Sequence, residues 1–117
     1  MKYNIIQDKS FQFALRIIKA YTFLVEQKKE FVLSKQLLRS GTSIGANVEE
    51  AIWAHSKADF LAKLSIAYKE ARETHYWIRL LQESWFFSEK DSSSILSDLD
   101  EVLKIIWTIR KTWSKNS

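Results

Sequence analysis

Phe60, Leu64, Ala67, Ala71, Thr74, Ile78, Leu81 and Trp85 recur at alternating intervals of four and three residues. That spacing returns each side chain to one face of an α-helix over about seven turns, whereas a strand repeats every two residues. Three further segments carry the same rhythm. Phe11, Ala14, Ile18, Tyr21 and Val25 form an N-terminal stripe widened by Ile17 and Leu24. Leu37, Gly41, Ile44, Val48 and Ala51 form the second, and Ile95, Leu99, Val102, Ile106, Ile109 and Trp113 the last. The chain has no proline, so nothing forces a break inside these segments. Ser10 or Asp8 is placed to cap the first helix, Ser34 the second, and Ser56 with Asp59 the third. The Lys90–Ser94 cluster reads as the loop that caps the fourth. The expectation is one all-α domain over residues 1–117, with helices over about 9–27, 34–54, 57–87 and 92–114. Short links make it an up-down-up-down antiparallel four-helix bundle.

Both glycines, Gly41 and Gly45, fall inside the second segment. Glycine in a helix interior costs about 0.5–1 kcal/mol relative to alanine, so a pair four apart implies close approach of a neighbouring helix. The small residues Ala67, Ala71 and Thr74 of the third segment suit that role. Alongside runs a polar stripe of Arg39, Ser40, Ser43, Asn47 and Glu50. If it faces the interior each group needs a partner, since a buried unpaired polar group costs about 1–3 kcal/mol. Arg39 can pair with Glu73 or Glu70, and Asn47 can bond across the same seam. Such a network fixes helix register; the rival reading is a ligand pocket.

The chain carries 18 basic and 14 acidic side chains, a net charge of +4. Lys104, Arg110, Lys111 and Lys115 account for all of it, with no acidic residue between them. Basic residues at a helix C-terminus complement its dipole, which is the plain explanation. They also form a nucleic-acid-binding candidate near Trp107 and Trp113. Lys69, Arg72 and Arg79, with Tyr76 among them, form a second candidate on the third helix, partly offset by Glu73 and Glu83 one turn away. Trp53, Trp77 and Trp107, with Phe13 and Phe86, lie beside the main seams, and the three tryptophans point to a subunit interface.

Other chemistry finds little support. No cysteine is present, which excludes disulfides and thiolate metal sites and fits a cytoplasmic protein. Neither His55 nor His75 follows a glutamate by three, as a di-iron bundle requires, so no metal and no cofactor is expected. Gly41-Thr-Ser-Ile-Gly45 has nucleophile-elbow spacing but lies in a helix rather than at a strand-to-helix turn. No apolar run is long enough to span a membrane. The chain is read as non-enzymatic.

Gln36-Leu-Leu-Arg-Ser40, Ser43-Ile44 and Asn47-Val-Glu-Glu-Ala51, followed by Asp59-Phe60, Ala67 and Glu70–Leu81, resemble the bacterial four-helix bundle proteins encoded by 23S ribosomal RNA intervening sequences. The resemblance covers about Phe11 to Val102. Two departures stand out: Gly45 replaces an alanine-like residue, and Ile52-Trp53 follows Ala51 where a glycine is usual. The resemblance implies a homo-oligomer, a pentameric barrel, whose five-fold charge would attract RNA or DNA. The accessory variability protein of diversity-generating retroelements is similar in fold and binds nucleic acid and a reverse transcriptase, so a nucleic-acid enzyme is an implied partner. The leading expectation is a nucleic-acid-binding or accessory scaffold. A protein-interaction module without nucleic acid is the first rival, and a small-molecule-binding or hydrolytic bundle the second.

Overall fold

The computed structural model describes residues 4–115, with four helices: α1 Asn4–Glu26, α2 Leu33–Ile52, α3 Lys57–Glu83 and α4 Glu89–Lys115. Each packs on its sequence neighbours and α1 closes on α4, while the Cα atoms of the diagonal pairs stay more than 8 Å apart. The ring order α1–α2–α3–α4 makes the α1–α2 seam opposite the α3–α4 seam, in a rod 47 Å long and about 20 Å across. The expected architecture is the observed one.

The core is the shared axis. Leu37, Ile44 and Val48 of α2, Leu64, Ala71, Ile78 and Leu81 of α3, and Leu99, Val102 and Ile106 of α4 are almost fully buried. For α1 the inward face is Ile6, Ser10, Phe13, Ile17 and Leu24, a quarter turn from the stripe expected. Phe11 is 59% exposed and Ile18 45%. Helix α1 carries two apolar stripes side by side, and spacing alone does not say which faces inward.

The glycines also find a different neighbour. A Cβ on Gly41 would lie 2.8 Å from two Ile17 side-chain carbons, and one on Gly45 would lie 3.3 Å from the Ser10 carbonyl. The helix that approaches them is therefore α1, not α3. What α3 meets on α2 is Ser40, whose hydroxyl lies 2.9 Å from that of buried Thr74.

Several helix ends differ from expectation for local reasons. Ser10 is inside α1, its hydroxyl donating to the Gln7 carbonyl at 3.2 Å. Glu30, not Ser34, caps α2: its carboxylate accepts from the N–H groups of Val32, Leu33 and Ser34 at 3.3, 3.1 and 2.7 Å. Ser34 is buried and donates to the Glu30 carbonyl at 2.8 Å. Partial burial pushes the Glu30 carboxyl up, but the three amides together outweigh it and hold it below its ordinary value. Ser56 caps α3 as expected, accepting from the Asp59 N–H at 3.1 Å.

Helix α3 stops at Glu83, where Trp85 turns the chain in the left-handed region at φ 71°. The Trp85 and Phe86 N–H groups bond back to the Gln82 and Leu81 carbonyls at 3.1 and 2.9 Å. Trp85 thereby leaves the seam and stands 89% exposed, and Phe87 is buried instead. Residues 90–94 are helical rather than a loop, because Ser88 accepts from the Asp91 N–H at 3.0 Å and starts α4 earlier. After Ala51, α2 ends at Ile52 and turns through Trp53 at φ −95°, so the glycine usual there is not needed.

Candidate functional site

The α2–α3 seam holds the charged part of the expected polar network. The Arg39 guanidinium donates to Glu70 at 3.1 Å, to Glu73 and to the Gln36 side chain at 3.2 Å. The Trp77 indole N–H also reaches Glu73, at 2.9 Å. The rest of the stripe does not converge. Ser43 donates to the Arg39 carbonyl at 2.6 Å and Asn47 to the Ser43 carbonyl at 2.9 Å, both within α2. Asn47 therefore makes a local bond where a cross-seam one was expected. Glu50 turns outward to Lys63 at 3.1 Å. The network clamps two helices, and protein acceptors take four of the five guanidinium N–H groups.

The α3–α4 seam is different in kind. Arg72 and Arg79 stand exposed on α3, flanking half-buried His75. Burial first, then Arg79 and Arg72, push the His75 imidazole below its ordinary value, against the opposing pull of Asp100 on α4 3.8 Å away. Further along, Arg110 lies 5.2 Å from the Tyr68 ring centroid across the seam. Lys111 lies 4.8 Å from that of Trp107. These cross-seam contacts place Lys69, Arg72, Arg79, Lys104, Arg110 and Lys111 along one outer face. Asp100 between the helices and Glu83 at the end of α3 oppose them. The expected offset of Lys69 by Glu73 fails, since Glu73 points to α2 and is held by Arg39. Lys115 extends the strip at the end of α4. The two basic clusters, separate in the sequence, are one surface.

The three tryptophans belong to three different helices. Trp53 caps α2 and is 77% exposed, Trp107 is 47% exposed on α4, and Trp77 is half-buried in the α2–α3 seam. The apolar surface that does form a patch uses part of the α1 stripe that the spacing picks out, turned outward instead of into the core. Phe11, Ala14, Leu15 and Ile18 of α1, with Thr42, Gly45 and Ala46 of α2, line an open groove of about 310 Å³. Gln7 and Glu49 close its rim with a 2.8 Å hydrogen bond. The sequence signal for it is that α1 has more apolar positions than one stripe can bury.

Among the described residues, no group of three or more histidine, cysteine, aspartate or glutamate side chains is arranged to hold a metal, and no helix is long and apolar enough to cross a membrane.

A family model described as 23S rRNA-intervening sequence protein matches residues 2–108. The chain belongs to that family. A crystal structure of a protein of unknown function, from the S23 ribosomal protein family of Bacteroides thetaiotaomicron, is 52% identical, with a TM-score of 0.93. The match covers 95% of this chain and 99% of the other. No curated protein matches. In this chain the matched α2 segment makes three contacts: Arg39 clamps α3, Ser40 meets Thr74, and Gly41 admits Ile17.

Proposed function

We propose that this member of the family is a non-enzymatic, self-assembling bundle that holds nucleic acid on its α3–α4 face. The observation that carries the reading is that Arg110 meets Tyr68 and Asp100 meets His75 across the α3–α4 seam, so the cations of the two helices flank one seam. Such a surface attracts polyphosphate and releases condensed counterions on binding. Arg110 is braced over Tyr68, so less side-chain freedom is given up when its guanidinium meets a phosphate. The opposite α1–α2 groove supplies a self-association surface, apolar and floored by small residues that allow a second copy to come close. Assembly on one side and nucleic acid on the other do not compete for area.

The test is binding of fluorescent RNA and DNA to the intact protein at low and moderate salt, with Arg110→Gln, Lys111→Gln and Lys115→Gln combined as the comparison. Affinity that falls steeply with salt, and weakens in the triple variant while the assembled mass persists, is the expected result. Absence of binding at low salt overturns the reading and favours a protein-interaction module.

A further inference from the structure

We infer that the nucleic acid this face takes is single-stranded, gripped through bases stacked on Tyr76 and Trp107. This rests on the nucleic-acid reading above and narrows it to a ligand class.

A purely basic strip would suit any polyanion, a duplex included. This strip carries two exposed rings among its cations. Tyr76 is 50% exposed, with Arg72 one turn before it and Arg79 one turn after. Its ring packs T-wise on Trp77, centroids 5.1 Å apart at 69°, so it is braced without being covered. Trp107 is 47% exposed, with Lys104 one turn before and Arg110 and Lys111 one turn after. An exposed ring flanked on both sides by cations pairs one base-stacking platform with adjacent phosphate contacts. Duplex bases have their faces occupied by one another, so only unpaired bases can use these platforms.

The spacing agrees. His75 faces Asp100 across the seam, and Tyr68 faces Arg110. Tyr76 therefore stands level with the region of Asp100, and Trp107 lies seven residues further along α4. At 1.5 Å per residue the rings are separated by about 10 Å along the bundle axis. Bases in a stacked duplex strand advance by roughly 3.4 Å. Two rings so far apart fit bases that have been pulled out of a stack. Lys111 is the group a base displaces from the Trp107 ring, and its ammonium then remains within reach of the adjoining phosphate.

The experiment compares a labelled twelve-nucleotide oligouridylate, the matching oligothymidylate and a blunt RNA duplex of equal length, by anisotropy at low salt. Tyr76→Ser, Trp107→Ser and Trp107→Phe are measured beside the unaltered protein, with circular dichroism verifying helix content. Both single strands are expected to bind tighter than the duplex, by about tenfold. Each serine variant is expected to lose about tenfold on single strands, since stacking on one ring is worth that order, and little on the duplex. Trp107→Phe keeps the platform and retains most of the affinity. Duplex binding equal to or tighter than single-strand binding overturns the inference and leaves the nucleic-acid reading intact, as does serine substitution that leaves single-strand affinity unchanged or weakens both ligand types alike. Binding to none of the three overturns both.

Discussion

The α1–α2 and α3–α4 seams are opposite sides of one bundle built from the same heptad-like spacing, yet they end in different surfaces. Between α1 and α2 the contact is drawn in by glycine, with Ile17 seated against Gly41, and the outer edge is an apolar groove. Between α3 and α4 the rings of Phe60 and Trp113 meet at one end, 5.0 Å apart, and the outer edge is basic and aromatic. The remaining two seams are braced by ion pairs: Arg39 with Glu70 and Glu73 on one side, Arg16 with Asp98 and Lys9 with Glu101 on the other. The α1–α2 and α3–α4 seams thus put an apolar flank on one side of the bundle and a charged, aromatic one on the other.

The largest expected effect comes from breaking the apolar side. Phe11→Asp with Ile18→Asp replaces exposed side chains, so the protomer should fold while self-assembly fails. Light scattering should then report 13.8 kDa in place of a multiple of it. An unaltered protein that is already monomeric at micromolar concentration ends the self-assembly reading. The matching break on the basic side is Arg72, Arg79, Lys104 and Lys111 changed together to glutamine. Assembly should persist, and the log–log salt slope for single-stranded binding should fall by up to about 3, near 0.7 for each phosphate no longer neutralised.

A smaller effect sharpens the comparison inside the glycine seam. Gly41→Ala gains about 1 kcal/mol of helix propensity. It also drives a methyl into Ile17, which is fully buried and branched at Cβ, so it cannot swing away. Overpacking of this kind costs about 1–3 kcal/mol, so the net change should be destabilising and visible in urea unfolding. Combining it with Ile17→Ala should cost less than the sum of the two single changes, because the methyl then has space.

The link between α1 and α2 gives a pH-dependent effect. The Glu30 carboxyl is held below its ordinary value in the folded chain, so its contribution is present above about pH 4.5 and is lost as pH falls through the folded value. Glu30→Gln should cost about 1 kcal/mol at pH 7, and the gap to the unaltered protein should close in acid. Smallest of all should be Arg16→Gln on the α1–α4 side. Its 2.5 Å pair with Asp98 is half exposed, and such pairs contribute about 0–1 kcal/mol, so its unfolding midpoint should barely move.

Helix existence and order were legible from the sequence alone, because 3–4 spacing without proline has one regular solution and short links leave one simple topology. The Arg39 clamp was legible too, since its partners sit one turn apart on the next helix. By contrast, the inward face of α1 was decided by tertiary structure: Phe11 and Ile18 are as apolar as Phe13 and Ile17, and only the fit of Ile17 against Gly41 selects between them. The same holds for the single basic surface. Arg72 and Arg110 lie 38 positions apart in the chain, and no local rule relates them until α4 folds back along α3. Local periodicity is a property of one segment, whereas a face shared by two helices depends on their rotation about their axes, which packing volume alone sets.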